Sequence, residues 1–153
     1  MTADKNPNTI TAEPAGLLRR LGALLYDSLL IGGLLMLASI IITVPTEMLL
    51  GAETSAKVSK TLLAWLWLLI PLFFFTWFWS RGGQTLGMRA WRLRVVCEDG
   101  TALDGKKALI RALCAVLSWL PLGLGFLWSL FDPENRAWHD RLSGTRLVVL
   151  PKE

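Results

Sequence analysis

Three apolar runs separated by short polar stretches organise the chain. The first, roughly Leu17 to Val44, carries a pair of arginines near its start and ends at Pro45. At about 1.5 Å per residue it is long enough to cross a bilayer with some tilt. The second, Leu62 to Trp79, carries Trp65 and Trp67 near one end and Trp77 and Trp79 near the other, the aromatic belt of a spanning segment. Pro71 in its middle predicts a kink, and the polar residues 46–60 before it predict a loop. The third run, Ala108 to Phe131, is interrupted by "PLGLG" at residues 121–125. That break favours two short half-helices that enter the membrane and return over one straight span. Such irregular backbone is tolerated at membrane depth only where protein or water covers it.

A different pattern fills the gap between the second and third runs. "RGGQTLGMRAW" is a basic stretch broken by glycines and suits a membrane surface. "RLRVVCEDGTAL" follows; Val95 and Val96 with the pair Asp99-Gly100 read as a strand and a turn, and Asp104 is placed to cap a helix. A second β-like patch, Thr145 to Leu150, can pair with it, although two strands alone are marginal without support from a helix or membrane. The predicted fold class is an all-α membrane protein. It has two spanning helices, a third broken or re-entrant apolar segment, and a short cytoplasmic β-pair. Residues 1–15 read as a disordered cytoplasmic tail, 16–150 as the membrane domain and 151–153 as a C-terminal tail. There is no internal repeat.

Composition supports the class: 53% of the 153 residues are hydrophobic and only 18% are charged. The net charge of +4 is not a nucleic-acid footprint, because the basic residues flank the apolar runs. Lys5, Arg19 and Arg20 precede or open the first run, and Lys57 and Lys60 lie in the 46–60 stretch. Seven basic residues lie from Arg81 to Arg111 and four follow residue 131. The positive-inside rule therefore predicts a multi-pass protein with a cytoplasmic N-terminus. Its expected partners are the lipid bilayer and a second copy of itself, since Ser28 and Gly32 form a small-residue pair four apart that lets helices approach. Cys97 and Cys114 are isolated and read as free, reduced thiols. No cleavable signal peptide is evident; the polar start and the long first run point to an anchor that is retained. No nucleotide loop, metal-ligand cluster or nucleophile–base spacing is present. We therefore expect no enzyme activity and no cofactor.

The candidate chemistry lies in a few charged residues. Asp27 sits seven residues after Arg20, inside an apolar helix, where an aspartate near the centre costs about 2.5–3.5 kcal/mol. Seven residues place the two on one face, about 10 Å apart along the axis. Asp27 is either a carboxylate that handles a proton or monovalent cation, or a structural acid bonded to the third segment. "FDPENRAWHDRLSGT" crowds Asp132, Glu134, Arg136, His139, Asp140 and Arg141 beside a membrane edge. His139, the sole histidine, reads first as a surface residue and second as a proton relay. Arg20 is expected to pair with an acid of the returning C-terminal segment, Asp140 first and Asp132 second.

The stretches "RRLGALLYD", "GGQTLGMRAWRLRVV" and "WHDRLSGTRLVV" resemble, in order, the RDD family of small bacterial membrane proteins, over roughly residues 15–150. By matching positions, the resemblance makes Arg20 the named arginine, with Arg19 the lesser alternative, and Asp27 and Asp140 the two aspartates. It implies a bacterial inner-membrane protein. The family's role is poorly defined, and transport, including sodium–proton exchange, has been proposed for members. Two function classes therefore stand: an oligomeric cation or proton transporter using Asp27, and a non-transporting helper or scaffold in which Arg20, Asp27 and Asp140 are structural.

Overall fold

A computed structural model describes residues 13–151. Two long helices, α1 (Leu17–Leu50) and α2 (Ala52–Gly82), are long and apolar enough to cross a membrane. A short helix α3 (Leu86–Ala90) leads into strand β1 (Leu93–Cys97). Helix α4 (Gly105–Trp119) and helix α5 (Leu124–Leu127), the latter continued by a 3-10 turn at Trp128–Leu130, form a bent pair at 108°. Helix α6 (Trp138–Leu142) and strand β2 (Thr145–Val149) complete the chain. The expected class is therefore met: mostly helical, with two long apolar helices, a broken third segment and an antiparallel two-stranded sheet. The break falls at the predicted proline and glycines, and Asp104 caps α4 by accepting from the Lys107 N–H at 2.8 Å.

Two boundaries differ from the sequence expectation. Helix α1 does not end at Pro45 but runs through it to Leu50, and a single residue, Gly51, separates it from α2. The polar stretch expected as a loop is helical because its residues suit a helix. Lys57 pairs with Glu53 one turn earlier at 3.4 Å, and Ser55 and Ser59 are buried. Polarity there reflects the end of the apolar span, not the end of the helix. Helix α2 likewise continues unbroken through Pro71.

The chain divides into two compact units. One comprises Ser28–Phe74; the other joins the segment up to Asp27 with everything from Phe75 onward. In the first, the hydroxyls of Ser39, Thr43 and Thr46 each donate to the carbonyl four residues earlier, at 2.7–2.8 Å. Thr46 also meets Ser55 and Ser59 at 3.0 and 3.1 Å. Side-chain hydroxyls thus supply hydrogen bonds around Pro45, where the backbone lacks a donor.

The second unit is built around the strand pair. Leu93 lies opposite Val149 and Cys97 opposite Thr145. Neither edge is left bare. On the β2 side, the Ala15 N–H donates to Leu147 O at 3.0 Å and the Val149 N–H to Glu13 O at 2.9 Å. On the β1 side, the Val95 N–H donates to Gly83 O at 2.7 Å and the Gln84 amide to Leu93 O at 2.6 Å. These contacts supply the support that an isolated pair would lack. Residues 13–15 run beside β2, while residues 1–12 of the expected N-terminal tail lie outside the described residues, as do 152 and 153. Leu93, Val95, Val96, Leu147 and Val148 form the core of this unit with Ala108 and Ala112 of α4.

Candidate functional site

Helix α1 begins with Arg20 turned toward the C-terminal segment. Its Nη1 donates to Asp140 Oδ2 at 2.6 Å, its Nη2 to Asn135 O at 2.6 Å and its Nε to Ala15 O at 3.0 Å. Asp140 is the third residue of α6. Its Oδ2 also accepts from the Ala137 N–H at 2.9 Å, so the same carboxylate that pairs with Arg20 caps its own helix. The other oxygen, Oδ1, lies 2.6 Å from Arg111 Nη2. Arg111, on the buried face of α4, donates its Nη1 to Thr145 Oγ1 and stacks over the Trp79 ring, with 4.9 Å to the centroid. One carboxylate therefore joins α1, α4 and α6, and through Thr145 reaches β2. Asp140 is fully buried, and Arg111 and Arg20 nearly so.

Burial alone would raise the Asp140 carboxyl. The guanidiniums of Arg111 and Arg20 outweigh it and hold the group well below the usual carboxylate range. His139 departs from the expected surface position: it is only 5% exposed and packs against the Phe126 ring at 4.7 Å between centroids. Burial pushes its imidazole down to about 3, so the ring is neutral at ordinary pH. Its Nε2 stands 3.6 Å from Asp140 Oδ1, beyond hydrogen-bond distance, and its Nδ1 has no hydrogen-bond partner among the described residues.

Asp27 is buried, and its partners are not those expected. The third segment does not reach it. Instead, Oδ1 accepts from the Gly87 N–H at 2.9 Å and Oδ2 from the Thr85 hydroxyl. Thr85 is the N-cap of α3 and accepts in turn from the Met88 N–H at 3.1 Å. Asp27 thus fastens α1 to the start of a helix hidden in the glycine-broken stretch, which polarity alone marks only as a membrane-surface linker. The approach is so close that a Cβ on Gly87 would lie 2.3 Å from Ala23 O and 2.9 Å from Asp27 Oδ1. Asp132 is not a partner of Arg20. It turns back on Arg141, whose Nε donates to it at 2.5 Å, and that hydrogen bond holds the Asp132 carboxyl below its ordinary value.

The structure therefore brings Arg20 and Asp140 together with His139 beside them, and gives Asp27 and Asp132 hydrogen-bond partners of their own. Arg111 is the charged residue the sequence reading passed over. The available signal was the amphipathic pattern of residues 105–119, which puts a guanidinium on the same face as Ala108 and Ala112. Arg20, Asp27, Arg111 and His139 all border one crevice of about 80 Å³.

No solved structure matches this chain significantly. It is 29% identical over 139 residues to an uncharacterized protein of Bacillus subtilis (strain 168), YckC, covering 87% of this chain and 83% of that relative. Residues 14–144 match the sequence model of the RDD family. That span takes in every helix from α1 to α6 and strand β1, stops just before β2, and includes all three of Arg20, Asp27 and Asp140, so the chain is a membrane protein that belongs to the RDD family.

Proposed function

We propose that the chain is a non-transporting helper or scaffold of the bacterial inner membrane, with the N-terminus and the Arg20–Asp140 face in the cytoplasm. The observation that carries this reading is the full commitment of the three motif residues. Both Asp27 oxygens accept fixed donors at the cap of α3, and Arg20 is bonded through all three of its nitrogens. An ion-handling carboxylate must exchange its partners in every cycle; a lock keeps them. The cytoplasmic assignment is supported by the distribution of basic residues: three at the first run, two near the hairpin turn, seven from Arg81 to Arg111 and four after residue 131. No chemical step is assigned. The work of such a protein is assembly, with a second copy as one partner through the face of α1 that carries Gly32, where a Cβ would meet nothing within 4 Å.

A second reading has one observation in its favour: Asp27, Arg20 and His139 border a common crevice, as a cation- or proton-coupled carrier would need. Flux through proteoliposomes under sodium, potassium and proton gradients separates the two. On the scaffold reading the wild-type protein carries no coupled flux, and Asp27→Asn lowers the yield of folded protein. A carrier would give wild-type flux that Asp27→Asn abolishes while the variant still folds. A reporter fused to the C-terminus tests orientation; activity only outside the cytoplasm would overturn the cytoplasmic assignment.

A further inference from the structure

Helix α3 lies beside the opening turns of α1, and two contacts fix its direction. Gly87 meets Asp27 and the Ala23 carbonyl, while the Trp91 ring is pressed on Gly22, where a Cβ would lie 2.5 Å from two ring carbons. As the chain advances from Gly87 to Trp91, its contact on α1 moves back from Asp27 to Gly22, about 7–8 Å of helical rise. Helix α3 therefore runs antiparallel to α1, and Arg92 follows Trp91 at the end nearest the start of α1.

The depth of this pair follows from what surrounds the Trp91 ring. Positions three and four away from Gly22 share its face of α1: Leu18, Arg19, Leu25 and Tyr26. All four are exposed. Leu18 and Leu25, 82% and 66% exposed on a helix apolar enough to cross a membrane, belong in lipid. Trp91 itself is half-exposed, and tryptophan suits the boundary between head groups and acyl chains. Arg89 follows the inward-facing Gly87 by two positions, about 200° around the helix, so it projects from α3 away from α1, and it is exposed. A guanidinium at that depth reaches for a phosphate or for water.

No carboxylate of the neighbouring chain competes for it. Residues 17–26 and 83–96 contain five arginines and no acid. Arg20 pairs with Asp140, but Arg19, Arg89 and Arg92 join no ion pair among the described residues. Asp27, buried where α3 begins, already accepts from Thr85 and Gly87.

We propose that α1 and α3 form a head-group site for an anionic phospholipid. Its phosphodiester lies against Arg89 and Arg92 with Arg19 beside them, Trp91 sits at the level of the glycerol, and an acyl chain runs along Leu18 and Leu25. A guanidinium meets two phosphate oxygens at once, which a surface lysine does not. A zwitterionic lipid fits less well, because its ammonium meets the same three cations. The site stands with either function above and lies in whichever leaflet holds the start of α1.

The test is native mass spectrometry of the full chain in detergent, with phosphatidylglycerol and phosphatidylcholine of equal chain length at equal concentration. We expect the first bound lipid to be phosphatidylglycerol by about tenfold. Arg89→Gln with Arg92→Gln should abolish that preference. Lys60→Gln with Lys106→Gln, which removes the same charge from exposed positions elsewhere, should keep it. Glycerophosphoglycerol, the same head group without chains, should not displace the lipid at equal concentration. A wild-type protein without the preference overturns the proposal, as does an equal loss in the lysine variant or displacement by the chain-free head group. Should the double arginine variant fail to fold, Arg89→Gln decides alone: a folded variant with unchanged preference overturns it.

Discussion

Arg20 and Asp140, 120 residues apart in sequence, meet at 2.6 Å in a buried ion pair that Arg111 shares from the opposite oxygen. Removing one partner from such a cluster leaves charge uncompensated in the interior, a loss of about 3–5 kcal/mol where it has been studied in other proteins. Asp140→Asn should be the most damaging change in the chain. It leaves two buried guanidiniums without an anion and weakens the cap of α6 as well. Arg20→Ala should do less, because Asp140 keeps Arg111. Yield of folded, monodisperse protein and thermal unfolding in detergent rank the three; an Asp140→Asn variant as stable as wild type would refute the ordering.

Gly87→Ala should separate α3 from α1. The added methyl would meet the Ala23 carbonyl oxygen at 2.3 Å and the Asp27 carboxylate at 2.9 Å. In a double-mutant cycle, Gly87→Ala and Asp27→Asn should be non-additive, with coupling on the order of 1 kcal/mol, because both act on the same contact. Strict additivity of the two unfolding shifts would show that the contact contributes nothing.

The pairing of Arg20 with Asp140 was readable from the sequence, since an interfacial arginine needs an acid on the segment that returns. So was the strand pair, from the likeness of "RLRVV" and "TRLVV". The partner of Asp27 was not, because α3 is a five-residue helix among glycines, too short for any periodicity to show. His139 was misplaced for a related reason. Its neighbours Asp140 and Arg141 suggest a surface, and only the packing of Phe126 against the ring removes it from solvent. Pro45 misled as a stop signal, since α1 runs through it to Leu50.

Stability should fall in mild acid through His139. Its folded value is depressed to about 3 from an ordinary 6.5. Between those limits the unfolded chain binds a proton that the folded chain refuses, so stability is lost as pH drops from about 6.5 toward 3. Asp140, depressed as well, adds to the loss only below about 4, where the unfolded carboxyl becomes protonated. Unfolding at pH 5 should therefore take up about one proton per chain through this group, and His139→Gln should reduce that slope. An unchanged pH dependence in a folded His139→Gln variant would show that the ring is not the titrating group.

The break in the third apolar segment should depend on Gly125. A Cβ there would lie 2.7 Å from the Ser118 Cβ and 2.8 Å from its Cα, so α5 folds back against α4 only without a side chain. Gly125→Leu should open the bend between the two helices, whereas Gly123→Ala, whose Cβ would have 3.9 Å to the nearest atom, should disturb packing less and be limited by its positive φ. Spin-label distances between positions 113 and 127 report the opening, and identical distances in wild type and Gly125→Leu would rule it out.

The strand edge formed by residues 13–15 has a consequence for biosynthesis. Glu13 and Ala15 are among the first described residues to leave the ribosome, yet they hydrogen-bond to Val149 and Leu147, among the last. At typical translation rates of about 5–20 residues per second, roughly 6–24 s separate the appearance of Arg20 from that of Asp140. Within that interval the two long helices are completed and become available for insertion, while Arg20, and Arg111 once α4 is made, have no Asp140 carboxylate to meet. The nascent chain therefore carries its own incompleteness signal: any product cut short before Asp140 presents unpaired guanidiniums and an open sheet edge to the proteases that survey the membrane, and closure of the sheet by the last strand removes both at once.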